Sequence, residues 1–424
     1  MLLKISKRAI SKTVAIALII IILVAVIGGA YWYYQAISKP KKEELIIGGT
    51  LPLTGLAAPD GQRIYRATKL AVDKINEEGG IMGMKVRLIV YDDGFSLEKI
   101  ASLYEKLITT DKADILITPY GAPSAFPALT VAKKYDKIMI AGFVASTSPS
   151  KQFGGRWGFF PHCMPAPVYS SYYYSLFTDM LGEFEKWNYK PGFSFKKRVA
   201  VLNEKQLWGM EQHEIWRPLA EKHGWEIVMD EFVDLEATDF SSIIAKIKME
   251  KPDLILCEFF YFRCVMMLKQ MIEQNVTASF VVMPETATTY DWIDPSKGVG
   301  PIGNGILALS YFPPDYHGGG ADYLRTKYKE LYGIEPSAHE VMGFSAIEII
   351  KQAIEKARSL DSEAIRKVLL SETFETCFTK VKFDKEGCNE LYRPAVAQWI
   401  NNKLEVVWPT DRATAKPLYP WPPK

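Results

Sequence analysis

Three loops of this 424-residue chain carry the polar and aromatic residues from which a binding site could be made. Pro119-Tyr120-Gly121-Ala122-Pro123-Ser124 leads into a helix-like segment, where the backbone N–H groups of Gly121 and Ala122 can hold an anion. Ser124 fits the N-cap of that helix better than a ligand contact. Met283-Pro284-Glu285-Thr286 presents a carboxylate, an acceptor-only group suited to a cation, although a solvated loop Glu has the same pattern. Phe259-Phe260-Tyr261 follows an apolar run; rings at a strand end are costly unless covered, which places them in a cleft or an interface. The remaining chemistry-bearing residues point away from catalysis. There is no Gly-x-Ser-x-Gly elbow, no P-loop and no Gly-x-Gly-x-x-Gly after the first strand, so no enzyme is expected. His162, His213, His223, His317 and His339 include no His-x-x-x-His pair, and no cysteine spacing matches a zinc site, so neither metal nor cofactor is expected.

These loops need a frame, and the pattern supplies one. Residues 45–51 form a buried strand; apolar spacing over 61–78 (Ile64, Ala67, Ala71, Ile75) is helical and stops at Gly79-Gly80. Strands at 84–91, 114–118 and 137–141 then alternate with helices at 97–110 and 124–135. A second series begins at 198–203 and continues through helix 208–223, strand 225–230, helix 239–250, strand 253–257, helix 263–275 and strand 279–283. From Ile306 come another strand, helices near 320–333, 338–358 and 361–370, and short strands near 379–383, 395–400 and 403–408. Such alternation implies an α/β protein whose two lobes are each a parallel sheet with helices on both faces. Ligands of such sheets sit beyond the carboxyl ends of the strands, here the cleft between lobes. Hydrophobic residues at 48% and charged residues at 24% suit packed domains, and a net charge of +2 without a basic patch argues against nucleic acid.

The N-terminus sets the compartment. Lys4, Lys7, Arg8 and Lys12 precede an uncharged apolar run from Val14 to Tyr34, roughly 20 residues, enough for ~30 Å of hydrocarbon. Tyr31, Trp32, Tyr33 and Tyr34 close it as an aromatic belt. Residues 1–36 therefore read as a transmembrane anchor, with a cleavable signal ending near Gly28-Gly29-Ala30 as the alternative. Both place the rest outside the cytoplasm, and the retained anchor holds it at the outer face of the cytoplasmic membrane. Residues 37–44 are a polar linker, and 410–424 a Pro-rich tail that continues neither a helix nor a central strand.

Gly49-Thr50-Leu51-Pro52-Leu53-Thr54-Gly55, Ala71-Val-Asp-Lys-Ile-Asn-Glu-Glu-Gly-Gly-Ile-Met-Gly83 and Val90-Tyr91-Asp92-Asp93 resemble the opening motifs of the leucine/isoleucine/valine-binding family of type I periplasmic binding proteins. Pro284-Glu285 and Phe383-Asp384-Lys385-Glu386-Gly387 also fit, and the likeness spans about 45–408. It implies three crossings between lobes, near 160–165, 304–308 and 376–380. Lobe one is then 45–162 plus 306–377, and lobe two 163–305 plus 378–409. It further implies an extracytoplasmic solute-binding protein of an ABC importer, closing by a hinge on an amino acid or related solute and handing it to permease and ATPase subunits. The alternatives are a ligand-sensing ectodomain of the same fold, or a binder of an aromatic acid, amide or urea-like solute.

On that resemblance, Tyr120, Gly121, Ala122, Ala145 and Thr147 surround the solute's carboxylate, although Gly121 stands where the family has a Ser hydroxyl. Glu285 takes the ammonium position. Trp208 occupies the place of an aromatic wall, with a core Trp the even alternative, and Phe260 aligns with a ligand-facing ring. Asp60 and Gln62 are further candidates near the first turn. The missing hydroxyl, with Tyr120, Phe143, Trp208 and Phe260 added, suggests a bulkier or less polar solute than leucine. Cys377 and Cys388 flank a strand and the Asp384–Gly387 turn, as a hairpin-closing disulfide would; Cys257 and Cys264 are a second candidate pair, leaving Cys163 over.

Overall fold

The computed structural model describes residues 21–29, 42–144, 146–163, 196–283, 285–310, 312, 316–392 and 395–423. The chain divides into a unit ending at Glu43 and a larger unit, Glu44–Lys424. In the first, residues 21–29 are helical, with Ile21, Ile22, Leu23 and Val24 exposed. Among the described residues no helix is long and apolar enough to cross a membrane. The rest of the apolar run expected over 14–34 lies outside them, as do 164–195.

The larger unit opens with β1 (Glu44–Leu51), α1 (Ala58–Glu77), β2 (Lys85–Asp92), α2 (Leu97–Thr109) and β3 (Ile115–Ile117). It continues through α3 (Ala122–Lys134), β4 (Met139–Ile140), α4 (Thr147–Phe153) and β5 (Gly158–Phe159). These strands form one parallel sheet in the order β2-β1-β3-β4-β5. β1 is buried from Leu45 onward, as a strand covered on both faces must be. The motif residues have visible jobs. Gly79 and Gly80 take φ of +99° and +80° to end α1, an excursion glycine makes without a Cβ penalty. Asn76 clasps β2: its side-chain amide donates to the Val86 carbonyl at 2.9 Å and accepts the Val86 N–H at 2.7 Å.

The second series runs β6 (Arg198–Glu204), α5 (Leu207–Lys222), β7 (Glu226–Val233), α6 (Ser241–Glu250), β8 (Leu254–Glu258), α7 (Tyr261–Glu273), β9 (Phe280–Met283) and β10 (Ile306–Ser310). Then follow α8 (Ala321–Tyr332), α9 (Ala338–Ala357), α10 (Ser362–Ser371), β11 (Thr373–Glu375), β12 (Lys380–Lys382), β13 (Ala395–Ile400) and β14 (Lys403–Trp408). The second sheet has the order β14-β13-β10-β9-β8-β6-β7, and β11 pairs with β12 alone.

Three expectations change here. The second sheet is not wholly parallel: β13 runs antiparallel to β10 and to β14. Asn401 and Asn402, at φ of +52° and +60°, form the two-residue mirror-image turn that joins antiparallel neighbours. β10 pairs with β9 and β13, so it belongs to lobe two rather than opening the return to lobe one. The last crossing also moves. Phe160 donates its N–H to the Gly387 carbonyl at 2.7 Å, and Asn389 donates to the Cys163 carbonyl at 3.3 Å, so segments 160–163 and 387–389 run side by side.

A disulfide joins those two segments, Cys163 to Cys388, with Cα atoms 5.2 Å apart. The Cys377–Cys388 pairing read from the sequence is thereby corrected. Cys377 lies between β11 and β12 and turns toward α9, its N–H bonded to Glu348 Oε2 at 2.6 Å and its sulfur facing the Val341 carbonyl. Cys257, Cys264 and Cys377 are buried free thiols. The Pro-rich tail packs back on lobe two: buried Trp421 exchanges two backbone hydrogen bonds with Ala278, beside β9.

Candidate functional site

The candidate site lies where parallel sheets expose their carboxyl ends. Asp60 and Arg63 sit in the first turns of α1, after β1; Phe95 follows β2 and Tyr120 follows β3. From lobe two come Phe260 and Tyr261 after β8, and Asp291 in the 3-10 turn Tyr290–Ile293 beyond β9. His339 enters from the start of α9, which a reciprocal Ser337–Glu340 capping box fixes. The motif carboxylates set the floor. Asp92 accepts the N–H groups of Leu53 (2.8 Å) and Gly94 (3.0 Å), and Asp93 accepts the Thr50 hydroxyl (2.7 Å) and the Phe95 N–H (2.8 Å). They thereby hold the first turn and aim Phe95.

Rings from both lobes meet. Phe260 stands edge-on to Phe95, centroids 5.7 Å apart at 89°, and lies 6.1 Å from Tyr120, which is 6.2 Å from Phe95. Beside them runs a polar cluster. The Tyr120 hydroxyl lies 3.3 Å from His339 Nε2, and that nitrogen lies 3.7 Å from Asp60 Oδ1. Arg63 reaches across to pair with Asp291, its guanidinium 5.3 Å from the centre of the Tyr261 ring. All of these side chains are buried or nearly so. Burial pushes the Asp60 carboxyl up to about 6, opposed by Arg63 and by a hydrogen bond from Tyr120. Burial, helped by Arg63, pushes His339 down to about 3, so it is neutral. Arg63 Nη1, Asp60 Oδ1 and His339 Nδ1 have no hydrogen-bond partner among the described residues. Three buried polar atoms without partners in one place are a feature that a bound polar group would satisfy.

A second bridge lies at the start of α4. Glu211, on α5 in lobe two, accepts the N–H groups of Thr147 (3.1 Å) and Ser148 (2.9 Å) and the Ser148 hydroxyl.

Of the residues that the sequence singled out, Tyr120 and Phe260 are brought together, ring centroids 6.1 Å apart. The backbone N–H of Gly121 does not await an anion: it donates to the Phe143 carbonyl at 3.2 Å. Ser124 is not the N-cap of α3; Gly121 is, with no side-chain bond, and Ser124 lies buried one turn in. Ala122 is the buried first residue of that helix. Thr147 is engaged by Glu211, while Ala145 and the Glu285 side chain lie outside the described residues. Trp208 is half-buried at the start of α5, its N–H held by Gln206 and its indole nitrogen unpartnered among the described residues. Gln62 is exposed and bonds the Leu53 carbonyl. Arg63, Phe95, Glu211, Asp291 and His339 went unread. The available signal was Arg63, a charge beside Ile64 and Ala67 on the apolar face of a helix.

Two α/β lobes meeting at their carboxyl edges over a buried polar and aromatic joint have the architecture of a two-lobed binding protein. The family model described as periplasmic binding protein matches residues 44–401, and the chain belongs to that family. The amino acid binding protein of Pseudomonas aeruginosa is 25% identical over 366 residues, 84% of this chain and 90% of that one. Among solved structures, the leucine binding protein of Thermotoga maritima superposes with a TM-score of 0.73 at 18% identity, covering 85% of this chain and 97% of that one. The solute binding protein of an ABC transporter from Rhodopseudomonas palustris, in complex with benzoate, superposes at 0.74 and 18%, covering 86% and 95%.

Proposed function

We propose that the chain captures an amino acid or a related small solute in the cleft between its lobes and delivers it to the permease and ATPase of an ABC importer, while its N-terminal segment tethers it to the outer face of the membrane. The observation that carries this reading is the joint itself: Phe95 and Tyr120 of lobe one meet Phe260 of lobe two beside polar atoms of Asp60 and Arg63 that have no hydrogen-bond partner among the described residues. A solute parting those rings would find an apolar wall and polar anchors on both sides, the arrangement of concave small-molecule sites. The family resemblance adds Glu285 as an ammonium partner and Trp208 as a second wall.

The test is thermal melting of the full chain in mild detergent against leucine, valine, phenylalanine, benzoate, simple amides and urea. A solute at ~100-fold its dissociation constant adds ~2.7 kcal/mol of stability, a readable rise in melting temperature. Phe260→Ala should weaken that solute by about tenfold, roughly 1.4 kcal/mol, because the variant removes one wall of the aromatic joint. Indifference to the whole panel would count against a solute-binding role. The tether has its own test. Removing residues 1–36 should release the protein from the membrane fraction, and a protein that stays membrane-bound without them is held by something else.

A further inference from the structure

We propose that the solute is an organic cation, an amine with an apolar body and no carboxylate, and that Asp60 is the residue that selects it. This rests on the reading that the cleft receives a small solute.

The first observation is a count of charges. Asp60, Asp291 and Glu340 are buried around Arg63, at 2%, 9% and 1% exposure, and among the described residues Arg63 is the one buried cation there. Arg63 is committed to Asp291, which Lys297 also approaches from the rim at 3.4 Å. Glu340 is occupied by the Ser337 N–H and hydroxyl. Asp60 is faced by Arg63 on its own helix, by Tyr120 from the loop after β3, by His339 from α9 at 3.7 Å, and by Asp291 from lobe two, while Glu340 and Tyr261 act on Arg63. Of these only Arg63 is cationic, since His339 is neutral. Asp60 therefore keeps a carboxylate oxygen with no hydrogen-bond partner among the described residues, in a site where an unpaired charge is costly. The partner that fits is a cation. Tyr120 hydrogen-bonds Asp60 and is packed with Phe95 and Phe260, and the faces of such rings attract an ammonium group as well as burying its hydrocarbon.

The second observation is independent. At the start of α4, where the family resemblance seats a solute carboxylate, Glu211 of the chain itself already accepts both N–H groups and the Ser148 hydroxyl. A solute carboxylate would have to displace it against like-charge repulsion. An amine meets no such obstacle, so the two ends of the cleft favour the same class.

Isothermal titration of the full chain in detergent, with compounds sharing one carbon skeleton, separates the possibilities. The sets are 3-methylbutylamine, leucine and 4-methylpentanoate, and 2-phenylethylamine, phenylalanine and 3-phenylpropanoate. The amine should bind at least about tenfold more tightly than the amino acid, and the acid should give no measurable heat. Asp60→Asn should weaken the amine by about a hundredfold. It should also leave the melting temperature of the unliganded protein at about pH 8 unchanged or higher, because the carboxylate it removes is held at a cost there; a merely structural aspartate would lower it. Amine binding should fade below about pH 6 as Asp60 takes a proton. An amino acid that outbinds its amine, or an Asp60→Asn protein that keeps the amine within about threefold while Glu285→Gln loses it, overturns the inference and leaves the solute-binding reading standing. The ranking on the unaltered chain decides even if the variant does not fold. No heat from any of the six compounds overturns both.

Discussion

Replacing Arg263 with alanine will destabilise lobe two by about 3–5 kcal/mol, a large part of the 5–15 kcal/mol that separates a folded domain from its unfolded chain. Arg263 is 1% exposed. Its Nε lies 2.6 Å from Glu204 Oε1, and its terminal nitrogens donate to the carbonyls of Asp234 (2.8 Å), Leu235 and Ala237 (2.7 Å). Phe240 and Phe259 pack on its guanidinium, each ring centre 5.5 Å away. One side chain thus ties the end of β6, the 234–237 loop and the first turn of α7 together. Truncation leaves a buried carboxylate and three carbonyls without their donor. The pH dependence gives a signature. Burial pushes Glu204 up to about 7 even with Arg263 and the Phe260 N–H drawing it down. A carboxyl raised on folding contributes stability in acid that is lost as the pH rises through its folded value. The Arg263→Ala deficit, read from urea melts, should therefore be larger at about pH 8 than at about pH 5, since losing the cation raises Glu204 further. Arg263→Lys should recover little, because an ammonium cannot reproduce the planar fork that serves several carbonyls at once. A variant within about 1 kcal/mol of the parent at both pH values would mean that this pair holds nothing together.

How far the sequence reached depends on the range of each interaction. Helix and strand identity come from local periodicity, and the alternation over 45–283 gave both sheets and the loops that tip them. Tyr120 and Phe260 were legible because each follows its own strand, so position along the chain sufficed. Arg63 and Asp291 were not: they lie 228 residues apart, and nothing local to either marks the other as its partner. Thr147 and Glu211 face the same difficulty across 64 residues. The Gly121 N–H looked available because a helix start usually exposes its first donors, yet the Phe143 carbonyl after β4 takes it. β10 was assigned to the wrong lobe because a strand's own residues say that it is buried, not which sheet buries it. The antiparallel hairpin of β13 and β14 had a readable signal in Asn401-Asn402, overridden by the expectation of a uniformly parallel sheet.

The cysteines show the same limit and carry the other large effect. Breaking the Cys163–Cys388 bridge should destabilise the protein by up to about 5 kcal/mol, the ceiling set by chain entropy for so long a loop, with about 2–5 kcal/mol the ordinary range. The two cysteines are 225 residues apart, so the unfolded chain loses much of its freedom when they are joined. The bridge also sits where segments 160–163 and 387–389 run side by side, so it pins together two segments that a hinge motion between the lobes would bend. Urea melts with and without a phosphine reductant should show the loss, and Cys388→Ser should reproduce it and abolish the response to reductant. Cys377→Ser separates this pairing from the hairpin pairing that sequence proximity suggests. Cys377 is a buried thiol against Glu348, so its replacement should leave the response to reductant intact. Alkylation of the unfolded, unreduced chain should label Cys377 and spare Cys163 and Cys388. A label on Cys163 with Cys377 protected would restore the hairpin bridge and remove the disulfide from the crossing.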